Sequence, residues 1–228
     1  MSTDYWQSIF EKEQILWGMQ PSDSSIIVAN FIENKKLDNI LIPGVGYGRN
    51  SIPFLEKKFS VTGIEISQKA IKLARVNNLN FPIIHGSVLD MPFNNKKFNV
   101  IFCYALIHLL NKPERKKFLA KCYEKVSKGG YMFFNVISQE TEMFGKGKRL
   151  SKDRYEIKKG LKVFFYDEFS INKEFKDFGL VNFQIIYEPI KFSSNIYPLK
   201  CYLIKCEKNE KISSYKRTLP NFSLCNDN

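Results

Sequence analysis

The chain has 228 residues, a length that suits one domain with a full hydrophobic core and is short for two. Apolar residues make up 44% of the sequence and charged residues 25%, a balance that excludes a disordered or fibrous protein. The net charge of +12 would fit a polyanionic partner, although a bias towards lysine gives the same charge without one.

We expect a cytoplasmic protein without a membrane anchor, a metal or disulfides. The first residues lack the positive and apolar regions of a secretory signal. The longest apolar run, residues 100–110, is far shorter than the roughly 20 residues of a membrane-spanning helix. The five cysteines form no C-x-x-C pair, and only two histidines could join them around a metal.

The first part of the chain alternates between helix and strand patterns. Apolar residues at helical spacing predict a helix over 22–34, and the apolar run at 39–42 predicts a short buried strand. A glycine-rich turn follows, then a helix over 50–58 and a second strand over 61–65. Ser67 is the predicted N-cap of a helix that reaches residue 76.

The same alternation continues to residue 137. Strands are predicted over 82–85, 98–103 and 130–137, with a helix over 113–126 between the last two. Such alternation predicts a parallel sheet with crossover helices on both faces. The predicted fold class is therefore α/β, with a doubly wound, mostly parallel sheet.

A basic segment at 145–162 interrupts this pattern, with eight Lys or Arg residues against two acidic ones. We expect no regular structure before residue 161. The segment is either part of a substrate-recognition insertion over 138–162, which closes over an anionic substrate, or a solvent-exposed flap.

Regular structure is predicted again from residue 161, with a strand over 161–166 and a helix over 167–178. Strands over 180–187 and 201–206 then predict an antiparallel hairpin at the edge of the sheet. The polar tail, residues 209–228, is predicted to be flexible, so that one domain covers residues 1–208.

Three glycines, Gly44, Gly46 and Gly48, lie between a predicted strand and the next helix. Glycine lets the backbone turn sharply and approach a ligand closely. In a doubly wound sheet, ligands bind at the carboxyl ends of the strands. The spacing differs from the dinucleotide fingerprint G-x-G-x-x-G, because Arg49 occupies the position of its third glycine. A nicotinamide cofactor is therefore disfavoured.

Glu65 ends the second predicted strand, where an acidic side chain can accept hydrogen bonds from both hydroxyls of a ribose. The alternative is a carboxylate that simply faces solvent at a strand end. The apolar remainder of the strand and its spacing from Gly44 favour the ribose contact.

Residues 41–50 and 61–67 together resemble motif I and the acidic strand end of class I S-adenosylmethionine-dependent methyltransferases. Residues 85–93 resemble the adenine-side loop of that family, residues 98–104 its fourth strand, and residues 128–130 the turn before its fifth. The resemblance implies a Rossmann-like methyltransferase fold with a seven-stranded sheet and an antiparallel edge hairpin. It also implies S-adenosyl-L-methionine as the cofactor.

Two residues depart from the family pattern. Pro43 stands where the family has an acid before the first glycine, and Ser87 where it has an acid that contacts the adenine amino group. The thiopurine and thiol methyltransferase branches resemble this chain in a proline near the first position and in an N-terminal segment that bears tryptophan, here Trp6 and Trp17. The tellurite-resistance methyltransferase branch is similar at residues 48–51.

The resemblance implies contacts for each part of the cofactor. The glycine loop would hold the methionine part, Glu65 the ribose, Ser87 the adenine with Asp90 as a substitute acid, and Tyr104 would approach the methyl group. A helical segment, residues 1–36, would form a lid, although its tryptophans could equally be packing residues. The full set of implied cofactor-binding residues is Trp17, Gly44, Gly46, Gly48, Asn50, Glu65, Ile66, Ser87, Val88 and Tyr104.

His108 is the predicted catalytic residue. Its ordinary pKa lies near neutrality, so it could take a proton from a thiol, hydroxyl or amine. A histidine that only packs in the core is the equal alternative.

The expected reaction is in-line methyl transfer to a sulfur, nitrogen, oxygen or chalcogen nucleophile of a small molecule. This chemistry depends on positioning and needs no fixed catalytic residue. One alternative is an RNA methyltransferase. The positive net charge favours it, whereas the lack of a recognisable RNA-binding module argues against it. Another is a protein that binds S-adenosylmethionine without catalysis. The sequence predicts no oligomeric state.

Overall fold

The computed structural model describes residues 3–189 and 198–209. Three short 3-10 helices, Arg49–Ser51, Ile107–Leu109 and Lys176–Phe178, accompany the main elements. In chain order the helices and strands are α1 (Thr3–Glu13), α2 (Asp23–Asn34), β1 (Asn39–Pro43), α3 (Ile52–Glu56), β2 (Ser60–Glu65), α4 (Gln68–Val76), β3 (Ile83–His85), β4 (Phe98–Tyr104), α5 (Lys112–Lys125), β5 (Val126–Ile137), β6 (Lys148–Ser151), β7 (Arg154–Lys158), β8 (Leu161–Phe164), α6 (Glu168–Phe175), β9 (Leu180–Glu188) and β10 (Leu199–Glu207).

Seven strands form one sheet in the order β3-β2-β1-β4-β5-β10-β9. The first five are parallel, whereas β10 is antiparallel to both β5 and β9. The predicted doubly wound sheet with an antiparallel edge hairpin is confirmed. Strand order reverses between β1 and β4, which opens a crevice at the carboxyl ends of the strands.

Both faces of the central strands β1, β4 and β5 are largely buried, as expected for strands made of continuous apolar residues. Neighbouring residues of β1 point to opposite faces: Leu41 packs in the layer with α5 and α6, while Ile40 and Ile42 pack with α2 and α3. Helix α2 therefore belongs to one of the two helical layers. Its N-terminus lies at the edge of the sheet that carries the crevice, because its backbone N–H groups bind Glu188 at the end of β9.

The basic segment is a three-stranded antiparallel sheet, β6-β7-β8, so the expectation of irregular structure before residue 161 is wrong. The strand predicted at 161–166 is β8, and it belongs to this second sheet. Arg154 joins the small sheet to the loop after β4 by donating to the backbone carbonyls of Leu109 and Leu110. Tertiary contacts of this kind order strands whose exposed side chains are mostly charged.

Ser22 is the N-cap of α2, and its hydroxyl accepts a hydrogen bond from the backbone N–H of Ser25 at 3.2 Å. We expect Ser22→Ala to lower the free energy of unfolding by about 1 kcal/mol, because the helix loses its side-chain cap and Ser25 N–H keeps the Ser22 carbonyl, at 3.1 Å, as its acceptor. Urea unfolding followed by circular dichroism measures this change. An unchanged midpoint would contradict the cap.

None of the helices within residues 3–189 and 198–209 combines the length and the apolar character needed to cross a membrane. The predicted flexible tail lies, apart from residue 209, outside the described residues.

Candidate functional site

A cavity of about 600 Å³ opens at the carboxyl edge of the sheet. Its volume lies within the range of small-molecule and cofactor sites. All eleven residues singled out from the sequence line it: Trp17, Gly44, Gly46, Gly48, Asn50, Glu65, Ile66, Ser87, Val88, Tyr104 and His108.

The glycine loop adopts backbone conformations that favour glycine. Gly44, Gly46 and Gly48 have φ angles of +64°, +58° and +87°. A Cβ on Gly48 would lie 2.8 Å from Cδ1 of Leu79, so this leucine side chain would have to shift to admit one. The loop is held against β2 by a 2.8 Å hydrogen bond from Gly44 N–H to the carbonyl of Ile64. These three residues therefore present a fixed backbone surface to the cavity.

The carboxylate of Glu65 is held in place at the end of β2. One oxygen accepts from Gly46 N–H at 2.9 Å and the other from Ser67 N–H at 2.8 Å. The side chain is buried, and burial raises the pKa of Glu65 while these backbone donors oppose the rise. Each oxygen keeps one acceptor direction for a ligand, since a carboxylate oxygen can accept two hydrogen bonds.

The loop after β3 forms the wall next to Glu65. Ser87 and Val88 line the cavity, and the Ser87 hydroxyl also accepts from Leu89 N–H at 3.1 Å. Asp90 does not line it, because its exposed side chain points towards Lys117, with 3.4 Å between the charged atoms. The hypothesis of Asp90 as a substitute acid for the adenine amino group is therefore wrong.

An aromatic cluster covers the glycine loop from the N-terminal side. Trp17 stacks on Tyr47 with ring centroids 6.4 Å apart, and Phe10 meets Tyr47 edge to face at 6.0 Å. The Tyr47 hydroxyl accepts from Trp17 N–H at 3.0 Å and donates to the Gly18 carbonyl at 2.9 Å. The N-terminal segment is thus fixed to the loop by both rings and hydrogen bonds.

Asn50 and Tyr104 lie farther along the cavity wall. The Asn50 side-chain oxygen accepts from Ser22 N–H at 2.9 Å, which ties the helix after the glycine loop to the start of α2. Tyr104 has the guanidinium of Arg49 above its ring at 5.4 Å. Burial raises the pKa of the Tyr104 hydroxyl, so it is a neutral hydrogen-bonding group.

His108 is buried in the 3-10 helix after β4 and reaches the cavity wall. Its Nδ1 accepts a hydrogen bond from the backbone N–H of Ile137 at 3.3 Å. Burial lowers the pKa of His108 to about 3, so the ring is neutral at physiological pH. With Nδ1 as an acceptor, the proton is on Nε2, and Nε2–H is a donor.

Glu188, at the end of β9, lines the same cavity but is absent from the set proposed from sequence. It is 3% exposed. The signal was the one that identified Glu65, an acidic residue directly after an apolar strand. This part of the chain has no motif at a fixed spacing from Glu188, unlike the glycine loop that precedes Glu65.

The second sheet and the loop before it close another side of the cavity through mainly apolar residues, Ile157, Leu161 and Val163 of the sheet and Met143 of the loop. Within the part of the chain that the structure describes, Lys158 is the one basic residue of the segment 145–162 that lines the cavity. A Cβ on Gly160, at the β7–β8 turn, would lie 2.6 Å from the Tyr5 ring, so the turn contacts α1 directly. The small sheet and the N-terminal helix therefore meet beside the cavity.

Comparison with known proteins gives matches in sequence and in structure. Residues 40–130 match the family described as a methyltransferase domain. A curated protein of Geobacillus sp. (strain WCH70), named as a methyltransferase, is 23% identical over 140 residues, which are 59% of this chain and 51% of that protein. This chain thus spans about half the length of the curated relative it matches.

Two solved structures illustrate the structural likeness. Burkholderia thailandensis 1,6-didemethyltoxoflavin-N1-methyltransferase, with bound 1,6-didemethyltoxoflavin and S-adenosylhomocysteine, has a TM-score of 0.67 at 15% identity, covering 91% of this chain and 87% of that one. TehB from Haemophilus influenzae has a TM-score of 0.60 at 15% identity, covering 91% and 67%. At these identities the likeness establishes the fold. Residues 40–130 are therefore similar to a methyltransferase domain, and the chain has the fold of these solved structures.

Proposed function

We propose that the protein is a methyltransferase that uses S-adenosyl-L-methionine to methylate a small-molecule acceptor. The observation that carries this proposal is the convergence on one cavity of the glycine loop, the fixed carboxylate of Glu65 and the Ser87 wall. These groups fit the cofactor, since Glu65 has a free acceptor direction on each oxygen and the three glycines of the loop have no side chains that would fill the cradle. When bound, the cofactor supplies an electrophilic methyl group on a sulfonium.

The chain itself contributes binding, orientation and the exclusion of water. Glu65 would accept from the ribose hydroxyls, and the glycine loop would contact the methionine part through its backbone. Tyr104 and His108 would border the reacting atoms. We propose that His108 acts as a neutral donor through Nε2–H and not as a general base, because a pKa of about 3 makes it a weak proton acceptor.

A small acceptor is supported by the shape and lining of the cavity. Its walls combine apolar residues of β8 and of the loops with a few polar groups, a pattern typical of small-molecule sites. The similar 1,6-didemethyltoxoflavin-N1-methyltransferase binds a small molecule, 1,6-didemethyltoxoflavin, together with S-adenosylhomocysteine. An RNA substrate is the second candidate, favoured by the charge of the basic segment.

Isothermal titration calorimetry with S-adenosylhomocysteine tests the cofactor assignment. We expect saturable one-site binding, and no binding of NAD under the same conditions. Absence of binding by both S-adenosylmethionine and S-adenosylhomocysteine would overturn the proposal. RNA affinity that falls steeply with salt and depends on the lysines of 145–162 would favour the RNA alternative.

The lid assignment predicts a smaller effect at Trp17. We expect Trp17→Ala to weaken S-adenosylhomocysteine binding about fivefold to tenfold, since an aromatic contact contributes on the order of 1 kcal/mol. Phe169→Ala is a matched control, because Phe169 is an exposed aromatic residue of α6 that does not line the cavity. Equal affinities for the two variants would show that Trp17 only packs against Tyr47.

A further inference from the structure

The cavity contains a second buried carboxylate, Glu188, far across the sheet from Glu65. Glu65 ends β2, whereas Glu188 ends β9, and β1, β4, β5 and β10 lie between these two strands. In the proposed function, Glu65 and the glycine loop belong to the cofactor half of the cavity. Glu188 therefore belongs to the other half, where a methyl acceptor would bind.

Hydrogen-bond donors hold this carboxylate in place. Oε1 accepts from the Ser24 N–H at 3.1 Å, from the Ser24 hydroxyl, and from the Asn135 side-chain amide at 3.3 Å. Oε2 accepts from the Asp23 N–H at 3.1 Å. Among the described residues Oε1 has three donors and Oε2 has one, so Oε2 keeps an acceptor direction for a ligand. Apart from these donors, Glu188 faces the cavity, whose wall it helps to form.

This charge has no cationic partner among residues 3–189 and 198–209, where no lysine or arginine forms an ion pair with Glu188. Arg49, a cation that also lines the cavity, lies over the Tyr104 ring and donates to the Gln20 carbonyl at 2.9 Å. Burial raises the pKa of Glu188, while hydrogen bonds from Ser24 oppose that rise. A buried carboxylate without a counterion costs free energy that a cationic ligand would offset.

We propose that the methyl acceptor carries a basic nitrogen on an apolar body, and that Glu188 binds this nitrogen through Oε2. The surrounding wall supplies the apolar contacts, from Ile137, Leu199 and Leu161. The inference rests on the proposed function, because the cofactor half defines the acceptor half. It also disfavours an anionic acceptor, since an anion placed here would lie beside Glu188.

Four probes with one phenyl body test the proposal by calorimetry in saturating S-adenosylhomocysteine: phenethylamine, 2-phenylethanol, 2-phenylethanethiol and 3-phenylpropionate. We expect phenethylamine to bind the wild-type complex at least about tenfold more tightly than the other three. In Glu188→Gln, the side-chain amide replaces the free acceptor by a donor, so the preference for the amine should disappear. Binding of S-adenosylhomocysteine itself should change less than about twofold.

Two further measurements distinguish amine binding by Glu188 from a role of Glu188 in capping α2, and failure of this proposal from failure of the cofactor assignment. Ser22→Ala weakens the start of α2 but leaves the Glu188 carboxylate in place, so amine preference should persist. Loss of the preference in both variants would assign Glu188 a purely structural role and overturn the proposal. So would the absence of any amine preference in the wild type. Failure of the wild type to bind S-adenosylhomocysteine would instead remove the proposed function.

Discussion

Glu65→Gln is expected to weaken binding of S-adenosylhomocysteine by about 100-fold or more. Both carboxylate oxygens already accept from backbone N–H groups, of Gly46 and of Ser67. A glutamine has one oxygen, so its NH₂ group must face one of these N–H donors and cannot accept from a ribose hydroxyl. Hydrogen bonds to a charged group contribute about 1.5–3 kcal/mol each, and two of them account for this loss.

Asp90→Asn is the matched control for this variant. Asp90 is also an acidic residue close to a strand end, but it is exposed and lies outside the cavity. We expect its affinity for S-adenosylhomocysteine to equal that of the wild type. Thermal unfolding of both variants without ligand separates lost contacts from lost structure. Undiminished affinity in a folded Glu65→Gln would refute the ribose assignment.

His108→Asn is expected to change how stability depends on pH. The pKa of His108 is lowered by burial from an ordinary 6.5 to about 3, so the unfolded chain binds this proton more readily than the folded one. The neutral ring therefore contributes its full stability above pH 6.5 and loses it as the pH falls towards 3. The loss is about 1.4 kcal/mol per pH unit, or about 2 kcal/mol at pH 5.

The measurement is the difference in unfolding free energy between wild type and His108→Asn at pH 7 and pH 5. Asparagine keeps an oxygen that can accept from Ile137 N–H but does not titrate. Burial raises the pKa of Glu65 and of Glu188, which stabilises the folded state towards acid, but both proteins share this effect. His85→Asn, at the chain's other histidine, serves as the control. Equal slopes for wild type and His108→Asn would contradict the expected shift.

The sequence predicted the order of strands and helices in the main sheet, and the residues singled out around the glycine loop line one cavity. Strand and helix periods are local signals, and the glycines and Glu65 occur at spacings that a single crossover unit imposes. Ser67 shows the same locality, because its hydroxyl caps α4 as predicted by accepting from Ala70 N–H.

The small sheet and the acceptor half depend on contacts between distant residues. Strands β6 to β8 are ordered by Arg154 at the carbonyls after β4 and by the packing of Tyr155 against Phe144 and Phe165, neither of which leaves a periodic pattern. The tautomer of His108 is set by a partner 29 residues away, the backbone N–H of Ile137. Such pairings follow from the folded arrangement and not from local sequence.

The start of α2 links the two halves of the cavity. Its successive backbone N–H groups donate to residues of different halves. Ser22 N–H donates to Asn50 beside the glycine loop, and the N–H groups of Asp23 and Ser24 donate to Glu188. A rigid helix end cannot adjust to one of these partners without moving relative to the other. A ligand that displaced this helix end in one half would alter affinity in the other half by the same factor in both directions, as thermodynamic reciprocity requires.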